Sequence, residues 1–424
     1  MDVLLANFQT PLARLLLQFI AIILATRALG AVFKRFGQPS VIGEIAAGIL
    51  LGPSLLGWMW PGVSKILFPQ DSLGTLQLFS QIGVCLFMFV VGLELDLTQV
   101  RQRLRMAAGV SSAGIVLPFA LGTGAAFLLF ENYAAPGATF PAFVLFMGIA
   151  MSITAFPVLA RILKERNLTQ TPLGVTAITC AAVGDAAAWA ILAFVVAIAK
   201  ATNLAATTFN LALVVIFVAV MLLFVRPLLT RNEANSGARF DSIAPALVLL
   251  TASALTTEVI GIHALFGAFL AGVVMPKQKE FHERLVVRLE NFAGVFLLPL
   301  FFAFNGLRTN IGALNVGAGW LICLGIIALA TLGKLGGTFL AARLAGVNCR
   351  DAFALGALMN TRGLVELIAL NIGYDLGILS PRIFSMLVLM ALATTFMTGP
   401  LLNLAKTKNL SSAETAEVVA PKCG

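Results

Sequence analysis

Apolar runs about as long as a membrane is thick follow one another along the chain, separated by short polar breaks. A helix needs about 20 apolar residues to cross the roughly 30 Å hydrocarbon layer, so each run reads as a transmembrane helix. The runs lie near 11–32, 40–60, 73–95, 106–130, 141–163, 172–199, 207–229, 242–260, 262–276, 289–307, 316–342, 351–373 and 382–404, thirteen in all. The ninth is short and weakly separated from the eighth, which makes twelve the rival count. Basic residues decide between the two. With thirteen spans, one set of loops holds Lys34, Arg35, Arg101, Arg103, Arg105, Arg161, Lys164, Arg166, Arg226, Arg231, Arg239, Lys277, Lys279, Arg284, Arg288, Arg343, Arg350, Lys406, Lys408 and Lys422. The other set holds only Lys65, Lys200, Arg308 and Arg382. Positive charge stays cytoplasmic, so the rich side and the C-terminus are expected inside and the N-terminus outside. Merging spans eight and nine scrambles this alternation, which favours thirteen.

Thirteen divides into six, one and six, with the two sixes as repeats of opposite orientation. The fifth span carries Ser152-Ile153-Thr154-Ala155-Phe156-Pro157, where proline removes a helix hydrogen bond and disfavours helix at the residue before it. The twelfth carries Met359-Asn360-Thr361-Arg362-Gly363, polar and glycine-containing in mid-span. Each is the fifth of its repeat. A lone proline in a membrane helix is usually a kink, but paired interruptions at matching positions point to a transporter's binding site.

Composition excludes the other broad classes. Of 424 residues, 59% are hydrophobic and 11% charged, and the mean hydropathy is +0.98; so little charge cannot cover the surface of a soluble protein of this size, and the fold class is an all-α polytopic membrane protein. The net charge of +9 lies in the loops and encodes topology, so no nucleic-acid partner is expected. Five cysteines form no CxxC pair, and two histidines are too few for a metal cluster. No secretory leader is expected, since Arg14 already lies within an apolar run. With no glycine-rich phosphate loop, metal-ligand cluster or serine–histidine pairing, neither an enzyme nor a cofactor is expected. The 12 methionines and 32 phenylalanines read as packing and lipid-facing side chains.

Charge inside the spans is what carries chemistry. Asp185 lies mid-run between Gly174 and Ala199, and a charge at the bilayer centre costs roughly 3 kcal/mol on insertion scales. It is either a structural acid satisfied by a neighbouring helix or an ion or proton site. Lys334 and Arg362 lie deep in spans eleven and twelve, with Glu366 nearby, whereas Arg14 and Arg27 sit where long side chains snorkel. Glu44 and Glu258 read as interfacial and structural. Broken helices crossing in opposite directions bring like ends together, and Asp185 with Lys334 (or Arg362) are the groups available to compensate them. Ser152, Thr154 and Asn360 offer oxygen ligands to a dehydrated monovalent cation. A site that takes a proton or a cation, never both, calls for a carboxylate shielded from water, which Asp185 supplies.

Six stretches in order carry a resemblance: Gly37 to Pro53, Phe89 to Asp96, Thr154 to Arg161, Gly261 to Phe269, Gly333 to Gly337 and Asn360 to Leu367. Together they resemble the monovalent cation/proton antiporter superfamily, in the branch of bacterial sodium or potassium/proton antiporters and plant cation/proton exchangers. The resemblance implies thirteen helices in two inverted repeats with crossed discontinuous helices, a homodimer, and elevator-type alternating access. It implies a core of about 73–199 and 289–404 in part, scaffold helices at about 11–60 and 207–276, and a short cytoplasmic tail, 405–424. It matches Asp185 to the ion-binding aspartate, Thr154 to the first crossing segment, Lys334 to a basic residue that pairs with that aspartate, and Arg362 and Glu366 to the second crossing. Many members carry a polar residue just before the aspartate, where this chain has Gly184. With one acid at the site, one-for-one exchange is expected. Potassium is favoured over sodium, from the likeness of Asn360 to Leu370 to the plant exchangers. Some relatives also carry a regulatory nucleotide-binding domain after the last span, for which this tail is too short. The rival functions are a sodium-selective exchanger, a channel-like cation pathway on the same scaffold, and a silent sensor, which the short tail disfavours.

Overall fold

The structure, a computed structural model, describes residues 10–94, 104–200, 204–236, 243–276 and 279–405. Arg101, Arg103, Arg239, Lys277 and the tail from 406, all used in the sequence reading, lie outside the described residues. What is described is almost wholly helical. Among the described residues nine helices are long and apolar enough to cross a membrane, and Cys349–Met359 and Leu364–Asp375 pass as a pair bent by 42°. Phe140–Ser152, Ala244–Ile260 and Ala264–Val274 are shorter apolar helices.

In chain order the helices that matter are α1 (Pro11–Arg35), α2 (Ser40–Leu51), α3 (Gln70–Glu94), α4 (Leu104–Tyr133), α5 (Phe140–Ser152), α6 (Phe156–Glu165), α7 (Pro172–Lys200), α8 (Leu204–Val220), α9 (Ala244–Ile260), α10 (Ala264–Val274), α11 (Lys279–Phe292), α12 (Leu298–Arg308), α13 (Gly319–Leu344), α14 (Cys349–Met359), α15 (Leu364–Asp375) and α16 (Pro381–Leu404). Several begin with proline in the first turn, where its missing N–H goes unneeded. The stretch expected as one span over 40–60 is long and apolar enough to cross over Ser40–Met59, but its first helix ends at Leu51. Gly52-Pro53 follows it, and the chain continues through the short helices Leu56–Met59 and Pro61–Leu67.

The eighth and ninth expected spans are separate helices folded against each other. α9 ends at Gly261, whose φ of 96° only glycine adopts freely. The chain then reverses: Ser253 Oγ donates to Gly267 O at 2.7 Å, and Gly267 N donates to Thr257 Oγ1 at 3.1 Å. Glu258 Oε2 accepts from Ala264 N at 2.7 Å, so this acid caps α10 and holds the turn. Its role is structural, as the sequence reading has it.

Two sets of helices pack mainly among themselves. One contains α1, α2, α3, α9, α10, α12 and the segment leading into α12; the other contains α4 to α7 and α13 to α16. The outer face of α1 is apolar and exposed at Leu12, Leu16, Ile20 and Leu24, as suits a surface facing lipid or another chain.

Candidate functional site

The second set of helices is built around two interruptions. α5 stops at Ser152, residues 153–155 are extended, and α6 starts at Phe156. α14 stops at Met359 and α15 starts at Leu364. The two breaks hold each other: Ala155 N donates to Thr361 O at 3.0 Å, and Thr154 Oγ1 donates to Met359 O at 3.2 Å. Irregular backbone at this depth survives because protein satisfies it. Thr395 on α16 completes the bracing, accepting from Arg362 N at 2.9 Å and donating to Arg362 O at 2.7 Å.

Both buried cations serve the same end of the first break. Lys334 is fully buried; its ammonium donates to Gly114 O at 2.8 Å and to Ser152 O. Arg362 donates to Ala150 O and Met151 O at 2.6 Å each. The carbonyls of Ala150, Met151 and Ser152 form the C-terminal end of α5, which carries partial negative charge and lacks helical partners, whereas Gly114 O lies within α4, where Pro118 has no N–H to offer it. Arg362 also meets Glu366 Oε2 at 3.2 Å, with both side chains fully buried. Glu366 sits in the first turn of α15, where an acid suits the helix end.

α7 packs against α5, α6 and α14, three of the four half-helices, and it carries Asp185, 5% exposed. Lys334 is the opposite charge whose field reaches Asp185. The two form no ion pair here: the ammonium has turned to the freed carbonyls, and Asp185 Oδ1 is buried without a hydrogen-bond partner among the described residues. The resemblance leads one to expect a direct pair, so this geometry departs from it. The break supplies Ser152 O and α4 supplies Gly114 O close to Lys334, and these two carbonyls take its donors.

The oxygen donors named from the sequence are gathered, though not alike. Ser152 Oγ donates back to Ile149 O at 3.0 Å, so its carbonyl, rather than its hydroxyl, is turned to Lys334. Thr154 Oγ1 keeps its lone pairs after donating. Asn360 is fully buried with both amide atoms unpartnered among the described residues. Ser111 on α4 and Thr338 on α13 are also buried with hydroxyls lacking partners there; no sequence signal separated them from other membrane serines and threonines.

A cavity of about 670 Å³ opens between the two helix sets. Arg27 and Glu44 line it from one set, and Phe156, Arg161, Lys164 and Leu364 from the other, so it reaches the N-terminal ends of α6 and α15. Glu44 accepts from Ser40 Oγ at 3.3 Å. It lines this cavity as well as being held structurally.

A buried acid beside paired half-helices in an apolar bundle is the arrangement expected of a polytopic membrane transporter. The chain belongs to the sodium/hydrogen exchanger family, within the monovalent cation/proton antiporter superfamily: the profile described as "Sodium/hydrogen exchanger, transmembrane" matches residues 20–404. It is 43% identical over 392 residues to the Na(+)/H(+) antiporter NhaS4 of Synechocystis, covering 91% of this chain and 96% of that protein. It is 42% identical to cation/H(+) antiporter 20 of Arabidopsis thaliana over 93% of this chain, and 32% identical to K(+)/H(+) antiporter 1 of Saccharomyces cerevisiae over 94%. The chain spans about half the length of those two relatives, 48% and 47%. The fold matches the sodium proton antiporter MjNhaP1 of Methanocaldococcus jannaschii with a TM-score of 0.67 at 12% identity, covering 93% of this chain and 99% of that one. The relatives are named as transporters, not enzymes.

Proposed function

We propose that the chain exchanges protons for a monovalent cation across the membrane, one for one, with Asp185 holding either in turn. The observation that carries this reading is the buried, unpartnered Asp185 oxygen on the helix packed against both breaks. One carboxylate balances one positive charge, so occupation is exclusive and each loaded form crosses in its own direction. Thr154 and Asn360 add neutral oxygens to the cation; Lys334, Arg362 and Glu366 hold the break in shape around it. Potassium is favoured over sodium in this reading, on the likeness of Asn360 to Leu370 to the plant exchangers. Relatives named for each ion keep both in view.

Access alternates as the set carrying Asp185 slides past the other in an elevator movement. α3 and α12 belong with the stationary scaffold in this reading, because they pack there, and the core narrows to α4–α7 and α13–α16. The count of thirteen crossings, their two inverted repeats, a homodimer through scaffold helices such as α1, and a cytoplasmic C-terminus complete the arrangement. With the basic loops inside, the cavity beside Arg161 and Lys164 faces the cytoplasm.

Proteoliposomes carrying a pH dye test it. An imposed potassium or sodium gradient should drive proton movement, and Asp185→Asn should abolish it. Exchange that survives that substitution rejects the mechanism; cation flux without proton counterflow points to a channel.

A further inference from the structure

α7 presents Gly184, not a side chain, to α4. A methyl group built on Gly184 would stand 3.1 Å from Ser111 Oγ, so the serine hydroxyl occupies the space that a residue at 184 would fill. Ser111 is 1% exposed, and its hydroxyl has no partner among the described residues. One turn along α4, Gly114 O receives the Lys334 ammonium at 2.8 Å. Thr338, one turn beyond Lys334 on α13, places its own unpartnered hydroxyl 2.9 Å from where a methyl on Gly114 would be. Next to Gly184, Asp185 keeps its buried oxygen unpartnered.

Buried hydroxyls in folded proteins nearly always have a hydrogen-bond partner. Here three helices bring unpartnered oxygens to the neighbourhood of one buried ammonium, and none uses another. Hard cations are held by such mixed sets of carboxylate and neutral oxygen. We propose that Ser111 supplies a hydroxyl ligand to the cation held at Asp185, reaching it across the space Gly184 leaves open, and that this oxygen helps set which alkali cation binds. The assignment rests on the exchange reading above. A neutral ligand adds no charge, so the site keeps its single negative charge.

The test reads half-saturating cation concentration twice: from flux in proteoliposomes, and from cation-dependent thermal stabilisation of the purified protein, each with potassium and sodium. Ser111→Ala should raise it about five-fold for the preferred ion, the worth of one neutral oxygen contact, with maximal rate within about two-fold. Adding Gly184→Ser to Ser111→Ala returns a hydroxyl from the facing helix and should bring the value back to within about two-fold of the parent. Unchanged half-saturation in Ser111→Ala, with Asp185→Asn inactive, overturns the ligand and leaves the exchange reading standing. An active Asp185→Asn overturns both. An impaired Ser111→Ala that Gly184→Ser does not recover assigns the loss to packing and also overturns the ligand. Should Ser111→Ala fail to fold, Gly184→Ala crowds the same hydroxyl without removing it; half-saturation should rise there too, and a parental value counts against the proposal.

Discussion

Lys334 and Arg362 donate to carbonyls freed where α5 ends and, from Lys334, to Gly114 O of α4, and the effects of their substitution follow from that. Lys334→Gln loses hydrogen bonds from a charged donor, each worth about 1.5–3 kcal/mol, to acceptors that stay buried. Thermal unfolding should show a loss of about 2 kcal/mol or more, while proteoliposomes made from folded protein still exchange; stable protein without exchange would give Lys334 a part in the coupling instead. Arg362→Met should cost more, about 3–5 kcal/mol, because Glu366 is left as an uncompensated buried acid. Adding Glu366→Gln should recover part of that loss in the same unfolding measurement. Proton and cation share Asp185 in this account, so acid competes with the cation. Each unit drop in pH should raise the cation's apparent KM, approaching about tenfold where the proton dominates. A pH-independent KM would separate the two sites. At this scale Asp185, Lys334, Arg362 and Glu366 stand out in the sequence, because an ionised group in an apolar run is costly. Ser111 and Thr338 do not, since a membrane hydroxyl commonly bonds its own helix, and only packing reveals those left without a partner.

Helix contact in the scaffold depends on close approach without side chains. A methyl group on Gly48 of α2 would stand 2.6 Å from Ala303 Cα on α12, closer than the backbones tolerate. Gly48→Ala should therefore destabilise by about 1–3 kcal/mol through forced separation of the two helices. Gly124→Ala on α4 meets nothing within 4 Å and should be neutral or slightly stabilising, since alanine is the better helix former. Melting temperatures of the pair decide whether the glycine matters for approach or only for being a glycine. The elements themselves were legible from apolar runs, and the two breaks from a proline and a polar Asn360–Gly363 segment. Both signals act locally on the backbone. Less legible was which helix joins which set. The division the resemblance implies, a core of about 73–199 and 289–404 in part, takes in 73–95, yet α3 packs against α10, and α12 against α2. Every span is apolar all round, so its pattern does not say which neighbour it will choose; matched glycines and small residues decide that, and they show only once the helices are together.

The two helix sets are parted on one side by the cavity at Arg161 and Lys164 and tied on another by a polar cluster around Arg308. Its guanidinium on α12 meets Asp375 at 2.7 Å and Asn371 at 3.0 Å on α15, and Gln77 of α3 at 3.1 Å. Gln77 itself donates to Asp375 at 3.0 Å, and Arg308 stacks over Phe304 and Tyr374 at 4.4 and 5.1 Å. In the elevator reading proposed above, every bond from Arg308 or Gln77 to α15 runs from scaffold to core, so sliding the core would break them together. Partly buried charge-assisted bonds of this kind hold one arrangement over another by a few kcal/mol, and about 1.4 kcal/mol is a tenfold change in population. Arg308→Ala should thus release the closed side. A cysteine placed at Ile368, which lines the small recess beneath the cluster, should react with an impermeant thiol reagent about tenfold faster in that background. Cys85, Cys180, Cys323, Cys349 and Cys423 would first be replaced. Exchange should continue with an altered balance between its two faces, because the latch sits away from Asp185 and biases the movement without carrying the ion. Equal reactivity with and without Arg308 would mean that the two sets are held in register by apolar contact alone, such as Trp189 of α7 against Phe266 of α10 at 5.3 Å, and the latch would then lie there.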